Sequence, residues 1–183
     1  ITIVQPAASL STALTLSSYN GIDNISCNGF TDGSINILVI GGTLPYSYYF
    51  NDTLITNPSS ATSTIVSGLA AGTYTDSIVD ANGCVFTETI TLTEPAMLNS
   101  VLSVINVSCN GGNDGSITVT ATGGTPGYSY LWSDGQTTAT ASSLYAVTYT
   151  YSITDANGCS AINSAIISEP TQIVISLDSL TNV

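Results

Sequence analysis

A chain of 183 residues with 12 acidic side chains and no Lys, Arg or His carries a net charge of −12. Average usage would supply roughly 20 basic residues in this length; with none, nothing neutralises phosphates or anionic lipid heads, which excludes ordinary nucleic-acid binding, polybasic membrane docking and arginine-clamped phosphoryl transfer. The missing His and Lys exclude Ser-His-Asp triads, Cys-His pairs, histidine zinc sites and Schiff-base enzymes as well.

An apolar fraction of 43% argues for folding rather than disorder, and a chain rich in Ser, Thr, Val, Ile and Tyr suits strands. No stretch shows a helical period, and no apolar run approaches the ~18 residues needed to span a membrane. The segment ITIVQP (1–6) reads as the last strand of a preceding unit, because ITLTEP (90–95) repeats it within the chain. Residues 7–95 form one unit. It opens on a strand within 7–18, passes ISCNGFTDGSI (25–35), GGTLPYSY (41–48), GLAAGTY (68–74) and DANGC (80–84), and ends at TEP (93–95).

Residues 96–170 repeat the order: a first strand in 96–104, then VSCNGGNDGSI (107–117), GGTPGYSY (123–130), SLYAVTY (143–149), DANGC (155–159) and SEP (168–170). Its alternating runs, 116–122, 128–132, 137–144, 148–154 and 160–168, predict strands joined by turns at SDGQ, DANG and Gly123-Gly124, the mark of an antiparallel sandwich. Residues 171–183 read as the first strand of a following unit. The whole reads as a piece of a longer tandem array, or as a subunit that exchanges terminal strands.

Each unit holds two cysteines, Cys27 with Cys84 and Cys109 with Cys159. If the four runs from Ser116 alternate in direction, the last returns to the end where it began and delivers Cys159 to Cys109, so strand parity predicts one disulfide within each domain. Closing the first loop would stabilise by ~4 kcal/mol on the chain-entropy model, and disulfides imply an oxidising, extracellular setting.

This order of motifs resembles the SprB-type repeat of cell-surface gliding-motility adhesins of the Bacteroidota. The resemblance implies an all-β chain of tandem immunoglobulin-like antiparallel β-sandwich domains in a large secreted protein. It also implies export by the type IX system and display as an extracellular filament for cell adhesion or gliding, with other copies or repeats and a surface polysaccharide or substratum as partners. Val147 and Gly127 depart from the first unit's Gly72 and Pro45.

Several residues invite a functional reading. Tyr46, Tyr48 and Phe50 share one face of a strand, as do Tyr128, Tyr130 and Trp132; buried they are core, exposed they would stack sugars and make a carbohydrate-binding module. Trp132, and Tyr49 on the opposite face, are the candidate ligand contacts. Asp32, Asp80 and Asn82, with Asp114, Asp155 and Asn157, are expected at the cysteine ends, where oxygen-rich loops would suit Ca²⁺ or simply form Asx turns. Thr53, Ser77 and Ser179 follow Asp and precede an apolar residue, the pattern that the resemblance marks for O-glycosylation. No long catalytic insertion accompanies the acids, so the chain reads as non-enzymatic.

Overall fold

Every ladder among the described residues, 8–19 and 21–176, is antiparallel, as short alternating runs between Gly-rich joints dictate. The computed structural model divides into two units between Met97 and Leu98. The expected strand over 1–6 lies outside the described residues, 171–176 form no strand, and 177–183 again lie outside. No helix among the described residues is long and apolar enough to cross a membrane.

The first unit is a two-sheet sandwich. Strands β1 (Ser11–Leu16), β2 (Gly33–Ile40) and β5 (Ser63–Leu69) form one sheet in the order β1-β2-β5. Strands β3 (Tyr46–Phe50), β4 (Thr53–Ser59), β6 (Gly72–Val79) and β7 (Val85–Leu92) form the other in the order β4-β3-β6-β7. Alternation selects the inner faces: Ile35, Ile37 and Val39 of β2 are buried against Tyr46, Tyr48 and Phe50 of β3, while Leu38 and Ile40 face out. Each such aliphatic side chain contributes roughly 1.5–3 kcal/mol on burial.

The second unit repeats the plan with one strand fewer. Strands β8 (Asn99–Ile105), β9 (Gly115–Thr122) and β11 (Thr140–Leu144) make one sheet, ordered β11-β9-β8. Strands β10 (Ser129–Trp132), β12 (Thr148–Thr154) and β13 (Ser160–Ile166) make the other, ordered β10-β12-β13. Its core is Ile117 and Val119 against Trp132, Tyr151 and Ile153. Trp132 packs on Tyr151 with ring centroids 5.0 Å apart, and its indole N–H donates to the Thr138 carbonyl at 2.9 Å, so the buried ring leaves no polar atom unmet.

Strand direction differs from the simple alternation expected. In the first unit β2, β4 and β6 run one way and β3 and β5 the other, so five strands, an odd number, separate the CNG loop from DANGC. In the second unit the Trp132–Gln136 turn moves the chain from one sheet to the other without reversing it. Strand β10 runs antiparallel to β12 and β11 antiparallel to β9, while β9 and β12 end together where the Asp155 carboxylate accepts from the Thr125 N–H. Both units therefore carry CNG at one end and DANGC at the other.

A left-handed residue marks the bulge in the β2–β5 ladder of the first unit and in the β9–β11 ladder of the second. Gly68 takes φ +75° in the first unit, and Ser143 takes φ +56° in the second. A Cβ in that region costs about 1–2 kcal/mol, partly offset by glycine's greater freedom when unfolded. Ser143→Gly is therefore expected to stabilise the second unit by roughly 0.5–1 kcal/mol, read as a higher melting temperature of its transition.

Candidate functional site

The recurring motifs build the two ends of each unit. At the exit, Glu94 accepts from the Gly29 N–H at 2.6 Å and from the Asn28 amide at 3.0 Å, and that amide also donates to the Pro95 carbonyl at 3.1 Å. The second unit repeats this: Glu169 accepts from the Gly111 N–H at 2.7 Å and the Asn110 amide donates to the Pro170 carbonyl at 3.2 Å. The Glu-Pro pair is thus clamped to the CNG turn just where the chain leaves the sandwich.

At the opposite end an aspartate organises the DANGC turn. Asp80 Oδ1 accepts from the N–H groups of Asn82 and Cys84 and its Oδ2 from Thr43, each at 2.9 Å. Asp155 does the same for Asn157, Cys159 and Thr125. Gly42 and Gly124 must be glycine here. Both have positive φ, and a Cβ on Gly124 would sit 2.7 Å from Asp155 Oδ2. Burial opposes the charge on Asp80, but the N–H donors of Cys84, Thr43 and Asn82 outweigh it and hold the carboxyl below its ordinary range.

The expected acid clusters are therefore split. Asp32 lies at the exit end, where it accepts from the Ser26 N–H at 3.1 Å and from the Ser26 hydroxyl, and Asp114 takes the Ser108 N–H at 3.0 Å. Asp80 with Asn82 and Asp155 with Asn157 sit at the entry ends. No group of three His, Cys, Asp or Glu able to hold a metal occurs among the described residues. Burial works against the charge on Asp32, and its Ser26 donors outweigh that; at Asp114 the Ser108 hydroxyl leads in the same direction, so both carboxyls are lowered.

The within-domain disulfides are also corrected. Cys84 and Cys109 are free and exposed, whereas Cys27 and Cys159 are disulfide-bonded. Strand topology gives the reason. Cys27 lies by the exit and Cys84 by the entry, separated by the length of β7, roughly 26 Å for eight residues. A disulfide needs Cα atoms within about 7 Å. Cys84 lines a shallow cleft of about 290 Å³ with Leu10 and Asp80, and Cys109 one of about 320 Å³ with Pro170 and Ile173.

Trp132 is 2% exposed and belongs to the core, which removes it as a ligand platform; Tyr46, Tyr48 and Phe50 are buried likewise. Tyr49 is half-buried on the outer face, paired with Leu54 and Ser77. Thr53 is exposed beside the turn after Phe50, and Ser77 is half-buried on central strand β6 with its hydroxyl 3.1 Å from that of Thr87. Ser179 lies outside the described residues.

The least expected group is inside the first unit. Asp76 is fully buried and neither carboxylate oxygen has a hydrogen-bond partner. Beside it Glu88 accepts from the Thr12 hydroxyl of β1. Burial, then the nearby Glu88 charge, raise Asp76 to about 6 against a slight opposing pull from the Ser77 N–H, while burial raises Glu88 as well. Tyr48 is raised by burial, then by Tyr46 and Asp76. The signal was in the repeat alignment: Asp76 stands where the second unit has Tyr151, on the inward face shared with Tyr74 and Ile78.

Two stretches, residues 20–53 and 102–137, match the family model of the SprB repeat. Both repeated units thus contain a segment similar to the SprB repeat. Each match contains the CNG loop, the first long inner strand and the aromatic strand beyond the double-glycine turn. No curated protein matches the chain. Among solved structures it is similar to a C-terminal 282-residue fragment of intimin, solved with the intimin-binding domain of the translocated intimin receptor (9% identity, TM-score 0.44). That match covers 88% of this chain and 64% of the fragment. It is also similar to fibronectin(III)-like modules of Clostridium thermocellum CbhA (16% identity, TM-score 0.29, covering 86% and 95%) and to an amphioxus IgVJ-C2 molecule (15% identity, TM-score 0.33, covering 86% and 96%). The chain thus spans less than two thirds of the intimin fragment, and these likenesses carry nothing about function.

Two outcomes are expected. Asp76 binds its proton more tightly folded than unfolded, so between pH 3.8 and about 6 the folded state holds the extra proton, and stability falls as pH rises through that window. The loss is at most about 3 kcal/mol; thermal melts from pH 4 to 8 should show it in one transition, and Asp76→Asn should flatten that profile. Separately, a thiol reagent should label Cys84 and Cys109 in the folded 183-residue chain without reduction, and Cys27 and Cys159 only after it.

Proposed function

We propose that this pair of SprB-like repeats is a non-catalytic structural and adhesive segment of an extracellular cell-surface filament, of the kind used in adhesion or gliding. One observation carries the reading. Each unit is entered at its DANGC end, where Leu10 or Leu98 lies close to Gly42 or Gly124, and is left at the clamped CNG end. A unit with distinct entry and exit ends can be repeated head to tail without limit, as solenoid and array proteins are.

In this reading the exposed thiols of Cys84 and Cys109 take the CNG cysteine of a preceding repeat and the DANGC cysteine of a following one, under extracellular oxidising conditions. The net charge of −12 keeps neighbouring fibres apart. Exposed Thr53 is the more accessible of the described O-glycan candidates, and Ca²⁺ remains a proposal confined to the acidic loops. The carbohydrate-binding alternative loses its main support, because Tyr46, Tyr48, Phe50 and Trp132 are buried and Tyr128 and Tyr130 pack half-buried against the core.

The native source polypeptide is expected to run at many times 18.7 kDa under denaturing, reducing conditions, and antibodies to these repeats should decorate intact cells. A native band near 18.7 kDa would favour a small subunit assembled through its terminal strands. Absence of surface label would sink the filament reading.

A further inference from the structure

Three polar side chains meet between the sheets of the first unit, where the second holds a neutral set. Thr12, Asp76 and Glu88 lie on the inward faces of β1, β6 and β7, in line with Leu14, Ile78 and Ile90. The Thr12 hydroxyl donates to Glu88 Oε1 between the edge strands of the two sheets. Asp76 and Glu88 are direct partners in the β6–β7 ladder, which sets their Cβ atoms about 5 Å apart. Asp76 is fully buried with both oxygens unpartnered, in a chain that has no cation to offer it.

In the second unit the same register places Ser100, Tyr151 and Asn163. There the Ser100 hydroxyl is taken up by the Tyr151 hydroxyl at 2.9 Å, and no acid is present. The first unit thus keeps an unsatisfied buried carboxyl where a neutral solution exists one repeat away. A buried polar group without a partner calls for a functional account.

We propose that Thr12 and Glu88 condense to an intramolecular ester, with Asp76 as the proton carrier. Glu88 reacts as the neutral acid. The Thr12 Oγ1 attacks Cδ, one bond from the oxygen it already touches, and the Oγ1–Cδ bond forms as a Cδ–OH bond breaks. The Thr12 proton passes along its hydrogen bond to Glu88 Oε1, while Asp76, facing Glu88 across the ladder, gives its own proton to the departing hydroxide and takes up the one left on Oε1. The sum is hydroxyl plus carboxylic acid to ester plus one water, with Asp76 protonated at both ends and nothing oxidised or reduced.

Esterification of a free alcohol by a free acid is nearly balanced in water. Well-oriented intramolecular groups reach effective concentrations of ~10⁵ M or more, far above that of water itself, and this draws the equilibrium to the ester. Burial favours the neutral acid form the reaction needs in both carboxyls. Glu88 is only half-buried, so the released water has a way out. The product fastens the first strand of the unit to its last.

The test is the intact mass of the reduced, denatured chain. It is expected to be lighter than its sequence by one water, and a chymotryptic digest should hold a branched peptide containing both Thr12 and Glu88, parted by hydroxylamine. Thr12→Val should restore the full sequence mass, and Asp76→Asn, with its cooperative melt retained, should keep it. A wild-type chain at its full sequence mass overturns the proposal whether or not the variants fold. So does a water loss that persists in Thr12→Val, which would place the dehydration elsewhere.

Discussion

Negative charge with no cation to meet it is the constraint on which this structure turns. Every carboxylate must be held by neutral donors, stay in water, or give up its charge. Asp80, Asp155, Asp32 and Asp114 take the first course, gathering backbone N–H groups and hydroxyls at turns. Glu94 and Glu169 do so at the exits. A hydrogen bond to an ionised acceptor is stronger than one between neutral groups, so each acid becomes the centre of the loop that contains it. The turn motifs that define the repeat are largely acids with their retinue of N–H donors.

Much of this was legible in the sequence. Alternation placed the strands and set the aromatics of each row on one face, and the duplicated motifs marked out the two units. Strand count failed at a particular point. The SDGQ turn carries the signature of a hairpin, yet the chain continues in the same direction in the other sheet, because Trp132 must enter the core while Ala141 and Leu144 fill the facing sheet. The first unit inserts β4 instead, which makes the count odd. Both routes bring DANGC to the end away from CNG, and cysteine parity cannot reveal it, since turn chemistry does not say which sheet receives the next strand.

The site residues divide the same way. Asp and Asn in the DANGC turns were recognisable as Asx-forming groups, but the partners of Glu94 and Glu169 lie far back in the chain and leave no local pattern. Thr12, Asp76 and Glu88 were missed because each looks ordinary in its own strand. Only the register brings them together, and only comparison with Ser100, Tyr151 and Asn163 shows how unusual their chemistry is. The two repeats share their CNG and DANGC loops and much of their aliphatic core, and part company at this one buried register.

The separation of entry from exit has a mechanical consequence. In the second unit strand β8 begins near the entry and β13 finishes at the exit, and each is an edge strand of its own sheet. Tension applied through the ends of that unit would drag β8 and β13 in opposite senses along their own lengths. Their ladders with β9 and β12 would be sheared, with seven paired positions in each resisting together rather than opening one after another. A bead threaded in this way yields at a higher force than one peeled from a single end, and a long string of them would stretch by rupturing one bead at a time.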